Sequence, residues 1–231
     1  MRRTIFTALL CGVILIFFSC NNNDEFRYGP GVEGPRVING IENYAENVKG
    51  VAFFASSNDE IPFQMDVNTI IGINYDESSE YYARYWGLSY AYGDTVYPGY
   101  VMTRPVRYAL ADTLSGISII TEKDFDEQHP AGSSINDILD LTYLTYKDAI
   151  ADRWAKERER TPGLYDRDID YIKSIPLSSF TPEDGVLLRM ERMSLDVKKY
   201  PAKKGEYPLA LKFIFNNGAY TYENTITYTF E

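Results

Sequence analysis

LALKFIFNNGAYTYENTITYTF, running from Leu209 to Phe230, reads as two strands folded about a turn. Leu209, Leu211, Phe213 and Phe215 alternate with Ala210, Lys212 and Ile214, the period-two pattern of a half-buried strand. Asn217-Gly218 is a strong short hairpin signal, because both residues accept positive φ. Past the turn, Ile226, Tyr228 and Phe230 alternate with Thr225, Thr227 and Thr229, so one face is apolar and the other hydroxylated. A hairpin with one apolar face does not stand alone in water and must pack on another sheet. The stretch therefore predicts a mainly β chain, and the expected architecture is an antiparallel, immunoglobulin-like β-sandwich.

The chain before the hairpin carries more of the same pattern. Met193, Leu195 and Val197 alternate, as do Val186, Leu188 and Met190, and Phe63, Met65 and Val67 alternate with Gln64 and Asp66. The last series continues through Ile71, Ile73 and Tyr75, and Val51 to Ala55 is a further compact apolar run. Val106 to Ala111 and Ile117 to Thr121 read as two strands joined by a turn at Ser115-Gly116. Arg36 to Lys49 is ambiguous: Val37-Ile38 suits the opening of a strand, and Ile41 to Val48 suits a short helix. One inserted helix is expected over Tyr146 to Arg160. There Ile150, Ala151, Trp154 and Ala155 make an apolar stripe, and Thr161-Pro162-Gly163 stops it. Glu80 to Tyr100 reads as loops and one or two short strands, since Gly87, Gly93, Pro98 and Gly99 interrupt it. No fixed-period repeat is visible.

The 231 residues suffice for a core that needs no staples, and 20 Tyr with 12 Phe favour strands. A net charge of −10 argues against nucleic acid as a partner and against adhesion to anionic lipid. Both cysteines, Cys11 and Cys20, lie in the first twenty residues, MRRTIFTALLCGVILIFFSC. Arg2 and Arg3, an apolar run from Ile5 to Phe18, and the small Ser19 follow the order of a secretory signal peptide. The run is shorter than the roughly 20 residues a spanning helix needs. Phe17-Phe18-Ser19-Cys20 resembles a bacterial lipobox, which implies lipid on Cys20; cleavage without lipid and an uncleaved anchor are the alternatives. The expected division is a signal peptide at 1–19, a flexible Asn-, Gly- and Pro-rich tether at 20–35, and a single β-rich domain at 36–231. By resemblance to lipoprotein sorting in Gram-negative bacteria, Asn21 after the cysteine favours the outer membrane. Asp24-Glu25 resembles an acidic surface-export signal. The periplasmic and cell-surface faces both stay open.

A longer motif adds to this. Ile117-Ser118-Ile119-Ile120-Thr121-Glu122-Lys123-Asp124-Phe125-Asp126, followed by His129-Pro130-Ala131-Gly132-Ser133-Ser134-Ile135-Asn136-Asp137, is similar to a run in uncharacterised Bacteroidetes lipoproteins of a domain-of-unknown-function family. Those chains tend to end in a Leu-rich strand, a turn with Gly and a Thr-rich strand, as here from Leu209 to Phe230. Thr121 stands where the pattern has Ser. The resemblance implies fold and envelope location, and no activity.

Candidate chemistry is sparse. His129 is the only histidine, and without cysteine ligands a structural zinc site has nothing to build on. Ser133 and Ser134 lie too close in sequence to His129 to suggest a nucleophile–base pair, so His129-Pro130-Ala131-Gly132 reads as a turn. Asp166, Asp168 and Asp170 begin like a calcium loop, but Tyr171 and Leu177 occupy the positions of its Gly and Glu. Asp124, Asp126 and Glu127 carry the same ambiguity. Chance alone supplies carboxylate pairs among 33 acidic residues, so they do not single out a glycosidase. No phosphate loop, nucleophile elbow or dinucleotide fingerprint occurs. The expectation is a chain that is no enzyme and uses no cofactor or metal. It would act as a membrane-anchored binding or structural module of the cell envelope. The alternative is a glycan-binding accessory lipoprotein of a polysaccharide-uptake system. Tyr82, Tyr85, Trp86, Tyr90 and Tyr92 are the ligand-binding candidates, with a glycan or another envelope protein as partner. Core packing is the competing reading of the same rings.

Overall fold

A computed structural model describes residues 40–54, 60–73, 76–95, 106–155, 171–191 and 193–230, all in one compact unit. The expected signal peptide at 1–19 and the whole expected tether at 20–35, Cys20 included, lie outside them. The strands are β1 (Asn43–Phe53), β2 (Glu60–Gly72), β3 (Tyr108–Leu110), β4 (Leu114–Thr121), β5 (Leu139–Leu144), β6 (Ile172–Pro176), β7 (Met193–Val197), β8 (Gly205–Phe215) and β9 (Tyr220–Phe230). Among the described residues two helices, α1 (Glu80–Tyr92) and α2 (Tyr146–Ala151), interrupt the series.

The chain is mainly β, in two sheets. The larger runs β3-β1-β2-β7-β5-β6 and the smaller β4-β8-β9. All pairs are antiparallel except β1 with β3. This six-plus-three division, with one parallel pair, departs from the four-plus-three antiparallel order of an immunoglobulin domain. The predicted hairpin is present as β8–β9, paired from Gly205↔Phe230 to Phe215↔Tyr220. Asn216, Asn217 and Gly218 turn it with φ of 50°, 56° and 91°. Asn and Gly are the residues that tolerate this left-handed backbone.

Strand alternation gives the larger sheet two different faces. Ala45, Leu110 and Tyr143 point into the main core against Leu209, Leu211 and Phe213 of the smaller sheet. Their chain neighbours Tyr44, Ala109 and Leu144 point the other way, into a second core shared with Tyr85 of α1, Tyr146 and Ala149 of α2, and Trp154. At that end the fold has helices outside the larger sheet and the smaller sheet on its other side.

Several expectations change. Of Ile41 to Val48, Asn43 to Val48 belong to β1 and none to a helix; a bulge at Lys49 follows Asn47, whose φ of 59° suits Asn. Tyr108–Leu110 and Leu114–Thr121 do not form a hairpin, since they join different sheets, and Ser115-Gly116 is a bulge inside β4. Leu188 and Met190 are buried as their alternation suggests, but the segment makes only isolated bridges, and Leu187 turns it with φ 52°. The expected helix at Tyr146 to Arg160 is six residues of α2. Arg153 and Trp154, at φ 57° and 59°, break it and turn Trp154 into the second core. Residues 156–160 lie outside the described set.

Candidate functional site

The aromatic run is a helix, not loops and strands. Ser79 opens α1, its side chain accepting the N–H of Tyr81 at 3.2 Å. Gly93 closes it at φ 74°, donating its N–H to the carbonyls of Ser89 and Tyr90. Gly93 therefore marks the end of a helix rather than forbidding one. Gly87 sits mid-helix facing open space, a defect that costs about 1 kcal/mol and that tertiary packing overrides. Tyr97, Pro98, Gly99 and Tyr100 lie outside the described residues.

The five ring candidates divide by helix face. Tyr85 is fully buried, its hydroxyl donating to the Ile41 carbonyl at 2.6 Å. Tyr92 is half-buried, donates to the Ala111 carbonyl at 2.8 Å and stacks on Tyr44 at 6.1 Å. These two are core, and the reading of them as ligand contacts does not hold. Tyr82, Trp86 and Tyr90 recur every four residues on the adjoining face. Their rings follow one another at 6.0 and 6.2 Å, tilted by 52° and 37°. Tyr82 and Trp86 are half-buried, whereas Tyr90 is 64% exposed. Trp86 also meets Tyr85 edge-on at 5.4 Å, which fixes the indole from behind. The structure thus brings three of the five candidates into one stripe on a well-capped helix.

Behind the stripe lies a buried polar knot that sequence patterning does not reveal. Asp94, 1% exposed, accepts the N–H groups of Gly40 at 2.7 Å and Ile41 at 2.8 Å, and the Trp154 indole N–H at 3.2 Å. Arg107 is equally buried. Its Nη1 donates to the Gly40 carbonyl at 3.2 Å, its guanidinium lies 4.9 Å from the Trp154 ring centre, and its N–H donates to Glu42. The Ser89 hydroxyl donates to the Asp94 carbonyl at 2.7 Å. That leaves the buried Tyr44 hydroxyl beside it with no hydrogen-bond partner among the described residues. Burial, and then the charge of Asp94, push the Tyr44 pKa up. The knot holds Gly40–Ile41, α1 and Trp154 together. Its carboxylate is occupied by donors on every oxygen.

His129 has both ring nitrogens engaged. Nδ1 lies 2.8 Å from Asp126 Oδ1 and Nε2 lies 3.1 Å from Asp137 Oδ1. Burial opposes its protonation, but the hydrogen bonds to Asp126 and then Asp137 outweigh that and raise its pKa. Asp126 is held low, chiefly by the Lys199 ammonium 2.8 Å from Oδ2 and then by His129 and two backbone N–H groups. That ammonium contact lies off hydrogen-bond geometry, so it is ionic in character. Ser133 donates to the Pro130 carbonyl and Ser134 accepts from the Asn136 N–H, so each hydroxyl serves the loop itself. The turn expected at His129–Gly132 is present, with Gly132 at φ 87° and the Ser133 N–H on the Pro130 carbonyl. A shallow cleft of about 470 Å³ adjoins it, lined by Lys123, Asp124, Glu127 and Tyr207 among others. Among the described residues no cluster of His, Cys, Asp and Glu is arranged to hold a metal ion. Asp166, Asp168 and Asp170 lie outside them.

No protein-family model matches the chain, and neither does any curated protein or solved structure.

Proposed function

We propose that this chain is a lipid-anchored, non-catalytic binding module of the cell envelope, with the Tyr82–Trp86–Tyr90 stripe of α1 as its contact surface. The stripe is the observation that carries the reading. Three large rings sit part-exposed along a helix whose other face is locked into the second core, so they are presented without loss of order on binding. Tyr and Trp supply the largest contact areas in protein interfaces. Ring tilts of 52° and 37° make a ridged surface rather than a flat platform, which suits a grooved protein partner better than a planar sugar chain. The anchor rests on the sequence: the cationic start, the apolar run and Ser19-Cys20. The location that goes with it is the outer membrane.

Two measurements test this. Metabolic labelling with a radiolabelled fatty acid in a Gram-negative host should label the full chain and fail on Cys20→Ser. Tyr90→Ala and Trp86→Ala should then abolish capture of an envelope protein by the anchored chain while leaving its melting temperature within a few degrees. A glycan array bound by the wild type and lost in Trp86→Ala would instead favour the polysaccharide-uptake reading.

A further inference from the structure

Two sheets have four outer edges, and the described residues treat them differently. The free edge of β3 meets Leu188 and Arg189, through the Leu110 N–H on the Leu188 carbonyl at 2.7 Å and the Ala109↔Arg189 bridge. The free edge of β4 is closed by residues 133–136. The Ile135 N–H reaches the Ile119 carbonyl, and the Asn136 amide both accepts from the Ile119 N–H at 2.9 Å and donates to the Ile117 carbonyl at 2.8 Å. β6 is only five residues long and carries Lys173 and Pro176, features that discourage strand addition. β9 is different. It is eleven residues long, contains neither Lys nor Pro, and has β8 on one side and no strand among the described residues on the other. Its one charge, Glu223, is already paired with Lys212 of β8 at 2.7 Å. The Thr225 N–H donates to Oδ1 of the preceding Asn224, a local bond suited to a strand edge.

We propose that two copies of this chain pair antiparallel through β9, about a two-fold axis at Thr225. The strand is nearly the same read in either direction. Pairing about Thr225 sets Thr221 opposite Thr229 and Tyr222 opposite Tyr228. It also sets Glu223 opposite Thr227, Asn224 opposite Ile226 and Thr225 opposite itself. Tyr222 thus faces Tyr228, and Thr221 and Thr225 face hydroxyls, the cross-strand pairs that stabilise antiparallel sheets, while Glu223–Thr227 and Asn224–Ile226 bring no like charges together. A self-complementary patch is what an isologous dimer requires. The two three-stranded sheets become one six-stranded sheet, and the long edge disappears.

The test is sedimentation of the full chain in a non-ionic detergent. The wild type should show reversible monomer–dimer exchange below about 100 µM. Thr225 is exposed on the outer face, so charges there leave the core untouched. Thr225→Lys and Thr225→Glu should each weaken self-association by roughly fivefold or more, and an equal mixture of the two should recover it. Thr227→Lys should tighten it by about threefold, because each new ammonium faces Glu223 across the axis. Association driven by the apolar leader would ignore all three changes. A wild type that stays monomeric to that concentration, or dimers indifferent to these variants, would overturn the proposal.

Discussion

At Asp94 three donors from distant parts of the chain converge on one carboxylate, 53 to 60 residues away in sequence. Removing an acceptor here leaves a buried N–H without a partner, which costs about 1–3 kcal/mol for each group stranded. Asp94→Asn keeps the shape but turns one acceptor into a donor. It should lower unfolding free energy by about 2 kcal/mol or more in urea titration. Gly40 is constrained for a different reason, since a Cβ there would run into the Trp154 ring. His129 makes a pH-dependent contribution. Its raised folded pKa means stability fully present below the unfolded value of about 6.5 and lost as pH rises through the folded one. Asp126, depressed below its ordinary 3.8, has the opposite sign: full above that value and lost as pH falls towards its folded pKa. The pair therefore contributes most between about pH 4 and 6.5. The difference in melting temperature between wild type and His129→Gln should be largest in that window and shrink by pH 9.

Elements depend on single side chains where the backbone ladder stops. Asn136 acts as a substitute strand for β4, closing both a donor and an acceptor on its edge. Asn136→Ala should cost about 1–2 kcal/mol in chemical denaturation and raise light scattering on warming, because it bares a sheet edge. For α1 the fixed point is Gly93 at φ 74°. Gly93→Ala should destabilise by about 1 kcal/mol, since an L side chain is disfavoured in that backbone. A helix with firm ends holds the Tyr82–Trp86–Tyr90 stripe in register, which links capping directly to the proposed contact surface.

Across the whole molecule, β1, β3 and β5 feed neighbouring residues to both cores, and β2 gives Phe63 and Met65 to one and Ile71 to the other, so neither core can dissolve while the other keeps its strands. The two tryptophans, Trp86 and Trp154, both report on the second core. Their fluorescence and the far-ultraviolet strand signal should accordingly trace one coincident unfolding transition. An earlier fluorescence transition would show the helical layer to be a separate unit.

Much of the β framework was legible because it is written locally. The alternation in Leu209–Phe230, Phe63–Val67 and Met193–Val197 places side chains on faces with no help from the rest of the chain, and Asn217-Gly218 specifies its own turn. The proposed leader and lipid site at Cys20 also rest on a short window, MRRTIFTALLCGVILIFFSC, which lies outside the described residues. What only the tertiary structure decided has the opposite character. Whether Gly93 ended a helix or prevented one depended on Tyr85 and Tyr92 finding the second core. The break after Ala151 depended on Trp154 reaching Asp94. The division of the Tyr run into core and surface rings followed from which face of α1 met β1. The Asp94 cluster was invisible for the same reason: its partners lie 53 to 60 residues away, and no local pattern records them. His129 meets Asp126 and Asp137 three and eight residues away, but only the fold buries its ring and brings Lys199 to Asp126.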